Sequence, residues 1–279
     1  SGRTHALGRI FDVLGALLGM GAPNEMLNAA GFSDSPHLFF SGYDEKGDWF
    51  QLFQIGFGGV PGRPIGDGPD GHSLWPSFTN VPNEFIEAYF PLRIEKYETI
   101  TDSGGPGLHR GGNGLSVAYR FLVDGHIGIH DDRWLTYPWG VNGGNPGNRS
   151  TKLLVRSDGT EEFIPAKCEG VKVQKGDLLY FNTWGGGGWG DPLERDPANV
   201  ISDVAKKLVS IDGAKRYGVV INDDLSLDEK GTKALRSKMS KDSVKDEMFN
   251  FGGTIEEIKS RSLEETNLEP PVSPTFLNQ

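Results

Sequence analysis

Residues 181–192 read FNTWGGGGWGDP, and this run of four glycines between two tryptophans restricts the fold more than any other stretch. Glycine loses more conformational freedom on ordering than any other residue, so an ordered run needs an interaction that offsets the loss. Three uses are open: a loop that cradles phosphate, a flexible linker, or a tight backbone passage beneath large aromatic side chains.

The tight passage is the favoured use. No Gly-Lys-Ser/Thr follows any glycine-rich segment, and none lies between a strand and a helix as dinucleotide-binding loops do. Linkers are solvated and rich in serine, whereas the large indole side chains of Trp184 and Trp189 are expected to be buried. We therefore expect the run to be a packed crossing under these two indoles that binds no nucleotide.

Composition narrows the class of protein. The 279 residues, 36% hydrophobic and 24% charged, suit a globular chain with a sizeable core. No stretch approaches the roughly 18 apolar residues of a membrane span, and the N-terminal residues do not suit a standard signal peptide, so we expect a cytoplasmic protein. The formal charge of −10 disfavours nucleic acid and favours small-molecule or protein partners.

The patterning along the chain predicts an α+β, β-rich fold with mainly antiparallel sheets. A helix is predicted over residues 4–20, with Thr4 as its N-cap and one apolar face packed against the body. From residue 32 to 181, short β-like runs alternate with turns rich in Gly, Pro, Asn and Asp. One of these turns, at Asp158-Gly159, is a hairpin signal.

The C-terminal region changes character after residue 192. Apolar spacing predicts a helix near residues 196–209 and a short strand over YGVVI, residues 217–221. A helical, charged arm follows, with helices expected at 228–239 and 254–265, and the last stretch, EPPVSPTFLNQ, is expected to be extended or disordered. We divide the chain into a domain over residues 1–235 and a charged, proline-containing extension over 236–279.

Two single residues invite a catalytic interpretation that we do not favour. Cys168 is the only cysteine, which excludes an internal disulfide and a cysteine-based zinc cage from this chain alone. Its neighbours indicate a strand, where a lone cysteine is usually a small buried hydrophobe rather than a nucleophile. Ser1 has the position of an N-terminal nucleophile, but an end produced by a cut is the favoured explanation.

The segment HDDRW at residues 130–134 is the first candidate for acid–base or metal chemistry, since it offers a histidine and two carboxylates. On a strand, His130 and Asp132 would face one side, and Asp131 and Arg133 the other. The alternative is a strand end with an Asp–Arg pair and solvated carboxylates. Both interpretations stay open.

A second candidate lies in PDGHSLWPSFTNVPNEFIE, where polar side chains surround two prolines. His72, Asn80, Asn83 and Glu84 are the residues of interest. Amides on a rigid turn either hold a substrate or order the loop through Asx turns. The sequence supports the two uses equally.

Four segments together resemble the hydantoinase B/oxoprolinase family. They are TNVPNE at residues 79–84, DSGGPGLHRGGNG at 102–114, PWGVNGGNPG at 138–147 and GGGGWGDP at 185–192. The resemblance covers roughly residues 5–235. Within the family, the segment HDDRWLTYPWGVNGG is more similar to members related to acetone and acetophenone carboxylases than to simple hydantoinases.

The resemblance implies one part of an ATP-dependent hetero-oligomer. ATP and Mg are held by an A-type subunit, which phosphorylates a carbonyl or ring amide, and a B-type subunit handles the activated intermediate. This chain resembles only the C-terminal half of a B-type subunit, and a divalent metal, zinc or manganese, is expected mainly on the N-terminal half. The reaction is either cyclic-amide hydrolysis or ketone carboxylation.

Site roles follow from that implication. His130, Asp131 and Asp132 are the expected acid–base or supporting groups, and His72, Asn80, Asn83 and Glu84 the expected substrate-orienting groups. The metal ligands are unknown. The alternative function, of another class, is a non-catalytic or repurposed structural and binding module derived from the same family.

Overall fold

A computed structural model describes residues 2–22, 27–32, 36–72, 79–242 and 248–272. Ser1 lies outside the described residues, as does the part of the predicted extended end from residue 273 onwards. None of the helices within the described ranges combines the length and apolar character that a membrane crossing requires.

Helices flank a β-rich centre. The helices are α1 (Gly2–Gly21), α2 (Asn83–Tyr89), α3 (Pro197–Ala205), α4 (Glu229–Asp242) and α5 (Ile255–Thr266). The strands are β1 (His37–Tyr43), β2 (Trp49–Ile55), β3 (Leu92–Thr99), β4 (Leu115–Phe121), β5 (Gly125–His130), β6 (Gly140–Val141), β7 (Thr151–Val155), β8 (Glu161–Phe163), β9 (Lys167–Val173), β10 (Leu178–Asn182) and β11 (Phe249–Asn250). The α+β, β-rich prediction is confirmed.

Two antiparallel sheets supply the main hydrophobic core. One has the strand order β2-β1-β5-β9 and the other β3-β4-β10-β7-β8. Fully buried side chains from both sheets form one cluster, in which the rings of Phe40 on β1 and Phe121 on β4 lie 4.7 Å apart. Packing the apolar faces of two sheets together removes both from water, so this core fixes the loops at the sheet ends.

Local signals predicted the β-hairpin correctly and one strand wrongly. β7 and β8 are joined by the expected turn, with Gly159 at a φ of +88° that favours glycine. The strand predicted over residues 217–221 is wrong: Gly213–Tyr217 is a 3₁₀ turn, and Ile221 makes only an isolated bridge to Leu227. Val219 and Ile221 are buried because they pack on α3 in a second small core, which explains their apolar character without a sheet.

α1 is confirmed as a helix, although it begins at Gly2 and therefore includes the predicted cap Thr4. Its apolar face is not covered by the described part of the chain, since Leu17 and Leu18 are 59% and 62% exposed. The side that packs on the body carries Asp12, whose carboxylate accepts hydrogen bonds from the backbone N–H groups of residues 31 and 32 at 3.1 and 2.9 Å. The helix is thus held by a buried polar anchor.

The charged arm contains the two predicted helices, α4 and α5. α5 begins with a capping box, in which Thr254 and Glu257 satisfy each other's backbone N–H groups. The proposed boundary at residue 235 falls within α4, so the division into domain and extension stays a prediction.

The four-glycine run lies among other glycine-rich loops, in an arrangement that we call the glycine bundle (residues 58–62, 103–114, 138–148 and 184–190). Its successive N–H groups donate to different segments of backbone. The pairs are Gly185 to Asn148, Gly186 to Gly112, Gly187 to Ala30 and Gly188 to Asn145, at 2.8 to 3.1 Å. Donors three residues apart reach the same segment, which is the threefold repeat of polyproline II conformation.

The bundle leaves no room for side chains at the run. A Cβ on Gly186 would lie 2.2 Å from the carbonyl oxygen of Val60, and the other three glycines face carbonyl oxygens equally closely. The expected tight passage is therefore present, but backbone rather than indole covers it. Trp184 is fully buried and lies against Gly58, whose Cβ would come within 2.3 Å of the indole.

We expect Gly186→Ala to lower the free energy of unfolding by about 3 kcal/mol or more, because even one methyl group overlaps a carbonyl that has no space to move. Thermal and denaturant unfolding measure the change. Gly15→Ala is the control: nothing lies within 4 Å of its Cβ position, so a gain of about 0.5–1 kcal/mol is expected from helix propensity. Wild-type melting by the Gly186 variant would contradict the proposed packing.

Candidate functional site

A polar cleft of about 310 Å³ opens where β7 and β10 meet the glycine bundle and the end of α5. We call it the Arg149 cleft. Its lining residues are Ile100, Ser103, Tyr137, Asn148, Arg149, Thr151, Asn182, Thr183 and Glu265. Hydroxyl, amide and guanidinium groups converge on a space large enough for a small molecule, which is the usual composition of a ligand site.

Arg149 is the only one of these lining residues that carries a positive charge, and it is held firmly. Its side chain is 4% exposed, and one terminal nitrogen donates to the carbonyl oxygen of Trp134 at 3.1 Å. The guanidinium also lies over the Tyr137 ring, 5.1 Å from its centroid. Its other terminal nitrogen pairs with the carboxylate of Glu265 on α5.

The floor of the cleft is formed by the last residue of β10, Asn182. Its side-chain N–H donates to the Thr151 hydroxyl at 3.2 Å. Its side-chain oxygen is buried and accepts no hydrogen bond from the described residues. A buried acceptor without a donor costs free energy, so this oxygen is suited to an N–H or O–H group of a ligand.

Beneath Asn182 lies a buried ion pair between Lys152 and Asp131, both with fully buried side chains. The Lys152 ammonium donates to the Asp131 carboxylate and, at 2.8 Å, to the main-chain oxygen of Asn182. Burial lowers the pKa of Lys152, and the adjacent carboxylate opposes that change. The candidate Asp131 therefore supports the cleft through Lys152.

The other two residues of the first candidate have partners on β9. His130 Nε2 pairs with the Glu169 carboxylate, and Asp132 lies 2.8 Å from the Lys167 ammonium. The predicted two-faced strand is wrong, because β5 ends at His130 and Asp131 already leaves it with a fully buried side chain. Its partner is Lys152 rather than the expected arginine, since the chain turns inward at that point.

The second candidate group is spread along a loop and a helix start. His72 is exposed, and its main-chain N–H donates to the carbonyl of Gly58 in the glycine bundle. Asn80 accepts a hydrogen bond from the Gln54 side chain at 3.1 Å. Asn83 and Glu84 begin α2, and the side-chain oxygen of Asn83 is buried without a described donor. This second unsatisfied amide oxygen is available to a ligand or partner.

A second cluster of charges, which the sequence did not reveal, ties the glycine bundle to α3. Arg195 binds both oxygens of Asp67 at 2.7 Å and reaches Asp203 at 2.8 Å. Arg110 binds both oxygens of Asp70 at 2.7 and 2.9 Å. Burial alone would raise the pKa of Asp67, but its bond to Arg195 holds that pKa below the usual value. This cluster is a structural clamp.

The glycine run does not fit a nucleotide phosphate, and the described residues hold no cluster of metal ligands. Phosphate-binding loops use free backbone N–H groups, whereas the N–H groups of the glycine run donate to other backbone segments. Within the described ranges, no three His, Cys, Asp or Glu side chains converge as metal ligands would. Burial raises the pKa of the Cys168 thiol, which makes this group a poor ligand and nucleophile.

Sequence reasoning missed Arg149, Asn182 and Glu265. One signal was present: Arg149 comes two residues after the loop motif at residues 138–147, and a lone arginine beside a rigid glycine-rich turn is well placed to bind an anion. Glu265 gave no signal, because it lies 116 residues further along the chain in a helix rich in charge.

Comparison with known proteins identifies relatives. A model of the family described as hydantoinase B/oxoprolinase matches residues 1–192. The B component of a putative D-/L-hydantoinase from Pseudomonas sp. strain NS671 is 32% identical over 232 residues, which are 81% of this chain and 38% of the relative. The chain thus spans well under half of that relative's length.

Two solved structures are similar to the fold. The crystal structure of ATP-dependent caprolactamase from Pseudomonas jessenii aligns with a TM-score of 0.65 and 27% identity, over 79% of this chain and 40% of that one. Nucleotide-free acetone carboxylase aligns with a TM-score of 0.62 and 21% identity, over 89% of this chain and 37% of that one. The second likeness shows the fold alone.

Asp131→Asn tests the buried pair under the cleft. We expect a loss of about 3–5 kcal/mol in unfolding free energy, because Lys152 keeps a buried charge without its counterion. Denaturant unfolding measures it, and the double change Asp131→Leu with Lys152→Met is expected to regain much of the loss. The control Glu95→Gln breaks the partly exposed pair with Arg120 and costs about 0–1 kcal/mol. Equal costs for Asp131→Asn and the control would refute the assignment.

Proposed function

The chain belongs to the hydantoinase B/oxoprolinase family, and on that premise we propose that it is part of the B-type subunit of an ATP-dependent enzyme that hydrolyses a cyclic amide. The observation that carries the proposal is the 32% identity to the B component of a hydantoinase across 81% of the chain. The likeness to a caprolactamase, at 27% identity, supports the same class of substrate.

Amide chemistry explains why such an enzyme needs more than this chain. A ring amide resists hydrolysis because resonance stabilises it and its nitrogen is a poor leaving group. Activation by ATP belongs to a partner subunit in this proposal, which agrees with a glycine run whose N–H groups donate to other backbone segments and not to a phosphate. A divalent metal, zinc or manganese, belongs to the part of the B-type subunit that this chain does not contain. The working assembly is a hetero-oligomer.

The role of this chain is to bind and orient the substrate and to keep water out of the site. Asn80, Asn83, Glu84 and His72 orient the substrate, and the buried oxygen of Asn83 accepts a hydrogen bond from an amide N–H. An acceptor that is fixed before the substrate arrives loses little entropy on binding.

His130, Asp131 and Asp132 have different parts in the proposal. Asp131 is a positioning group, because its carboxylate holds Lys152 under the floor of the cleft. His130 and Asp132 are the acid–base candidates, since their side chains are 29% and 12% exposed and each lies in an ion pair.

The test of the function is ATP turnover in the complex of this chain with the remainder of its B-type subunit and its ATP-binding subunit. We expect ATP hydrolysis to rise when hydantoins or lactams are added, with ring-opened product in proportion. Stimulation only by a ketone together with bicarbonate would overturn the proposal in favour of carboxylation. No stimulation by either class would favour the non-catalytic module.

Asn83→Ala tests the orienting role in the same complex. We expect kcat/KM to fall by about tenfold, the worth of one hydrogen bond to a fixed acceptor. The melting temperature should stay at the wild-type value, because the oxygen that is removed has no described donor in the folded chain. Asn199→Ala, an exposed asparagine on α3, is the matched control. Steady-state kinetics unchanged by Asn83→Ala would remove this residue from the site.

A further inference from the structure

We propose that the Arg149 cleft binds a small oxyanion, a carboxylate or a phosphate, and that the Glu265 carboxylate is a built-in competitor for that ligand. The inference concerns the cleft itself and holds whichever reaction the complete enzyme performs. Three observations carry it: a fixed cation, a replaceable anion, and an unsatisfied acceptor beside them.

The cation is fixed before any ligand arrives. The Arg149 side chain is 4% exposed, and its orientation is set by the Trp134 carbonyl and the Tyr137 ring. A guanidinium in a rigid setting presents paired N–H donors that match the two oxygens of a carboxylate or phosphate. Such a group loses little conformational entropy when it exchanges one anion for another.

The anion, the Glu265 carboxylate, is in contrast weakly held. Glu265 is 52% exposed, so its carboxylate reaches water by a change of side-chain rotamer. It also lies one residue before the end of α5, where a negative charge is opposed by the helix dipole, and the last turn carries no basic residue. Besides Arg149, the carboxylate is attracted by Arg261, one turn earlier on α5, whose guanidinium also donates to the Tyr137 hydroxyl.

The other buried arginines show that this asymmetry is specific. Each has at least one deeply buried anion: Arg133 pairs with Asp12, whose side chain is 2% exposed, and Arg195, besides the 35% exposed Asp67, reaches Asp203, whose side chain is 9% exposed. Anions buried to that degree cannot leave without a large desolvation change. Arg149 instead combines a buried cation with an exposed partner, the arrangement expected where anions exchange.

The rest of the cleft determines which other groups the ligand must carry besides its oxyanion. The Asn182 side-chain oxygen needs a donor, and the Thr151 hydroxyl lies beside it. A ligand with an oxyanion at one end and an N–H or O–H at the other satisfies both Arg149 and Asn182. The 310 Å³ of the cleft limits this ligand to a small molecule.

The competitor comes from outside the family match. The lining residues from Ile100 to Thr183 lie within residues 1–192, whereas Glu265 does not. The C-terminal arm of this chain thus supplies an internal anion to a cleft that family-matched residues build. Occupancy by Glu265 lowers the affinity for a free ligand without closing the cleft permanently.

The test is anion binding by the wild-type chain and by Glu265→Gln, titrated with inorganic phosphate and, separately, with glutarate at constant ionic strength. We expect the variant to bind the better probe about tenfold more tightly than the wild type, since a tethered competitor acts at a high effective concentration. The probe whose affinity increases more on this substitution identifies whether the ligand is a phosphate or a carboxylate. Arg149→Lys should lose the gain, because an ammonium cannot make the paired contact.

Two controls separate the effect from general charge. Glu95→Gln removes the same charge from the Arg120 pair and should leave binding unchanged. Asn182→Asp places a carboxylate on the cleft floor and should weaken binding, which keeps the test decisive if Arg149→Lys does not fold. Equal affinities for wild type and Glu265→Gln, or a gain that survives both Arg149→Lys and Asn182→Asp, would overturn the proposal. ATP turnover is not measured, so this outcome is independent of the proposed function.

Discussion

Backbone-to-backbone packing of glycine is the constraint on which the rest of this structure depends. Each of the four glycines at residues 185–188 faces a carbonyl oxygen at a distance that excludes even a methyl group. Their N–H groups are satisfied by segments from residues 30, 112, 145 and 148, so one run connects loops from most of the chain. The entropy lost on ordering glycine is offset by these hydrogen bonds and by close contact.

That bundle determines where the polar cleft lies. It fixes the loops that carry Ser103 and Asn148 beside the ends of β7 and β10, and the polar cleft forms at their junction. Beneath the cleft, Lys152 and Asp131 pair with each other, so neither is an isolated buried charge. A rigid frame with one ion pair at its surface is a suitable basis for binding a small ligand.

Much of the fold was predictable from local sequence. Alternating apolar runs indicated the antiparallel strands, and Asp158-Gly159 indicated the hairpin, because these signals act within a few residues. The strand predicted over residues 217–221 failed because apolar residues there serve a small helical core. Of the site, the sequence supplied Asp131 and Asn83 as candidates, but it suggested an arginine as the partner of Asp131 and no partner for Asn83. Neighbours such as Lys152 depend on strand pairing.

The sequence by itself determined the need for close backbone packing, the α+β class and the family, since each follows from residue types in short, ordered motifs. Only the tertiary structure decided which charges meet. Arg149 and Glu265 are 116 residues apart, and the sequence around either residue gives no indication that the two are in contact. Burial of one and exposure of the other come from the packing of α5 on the loops, and that difference in solvation makes one charge fixed and the other replaceable.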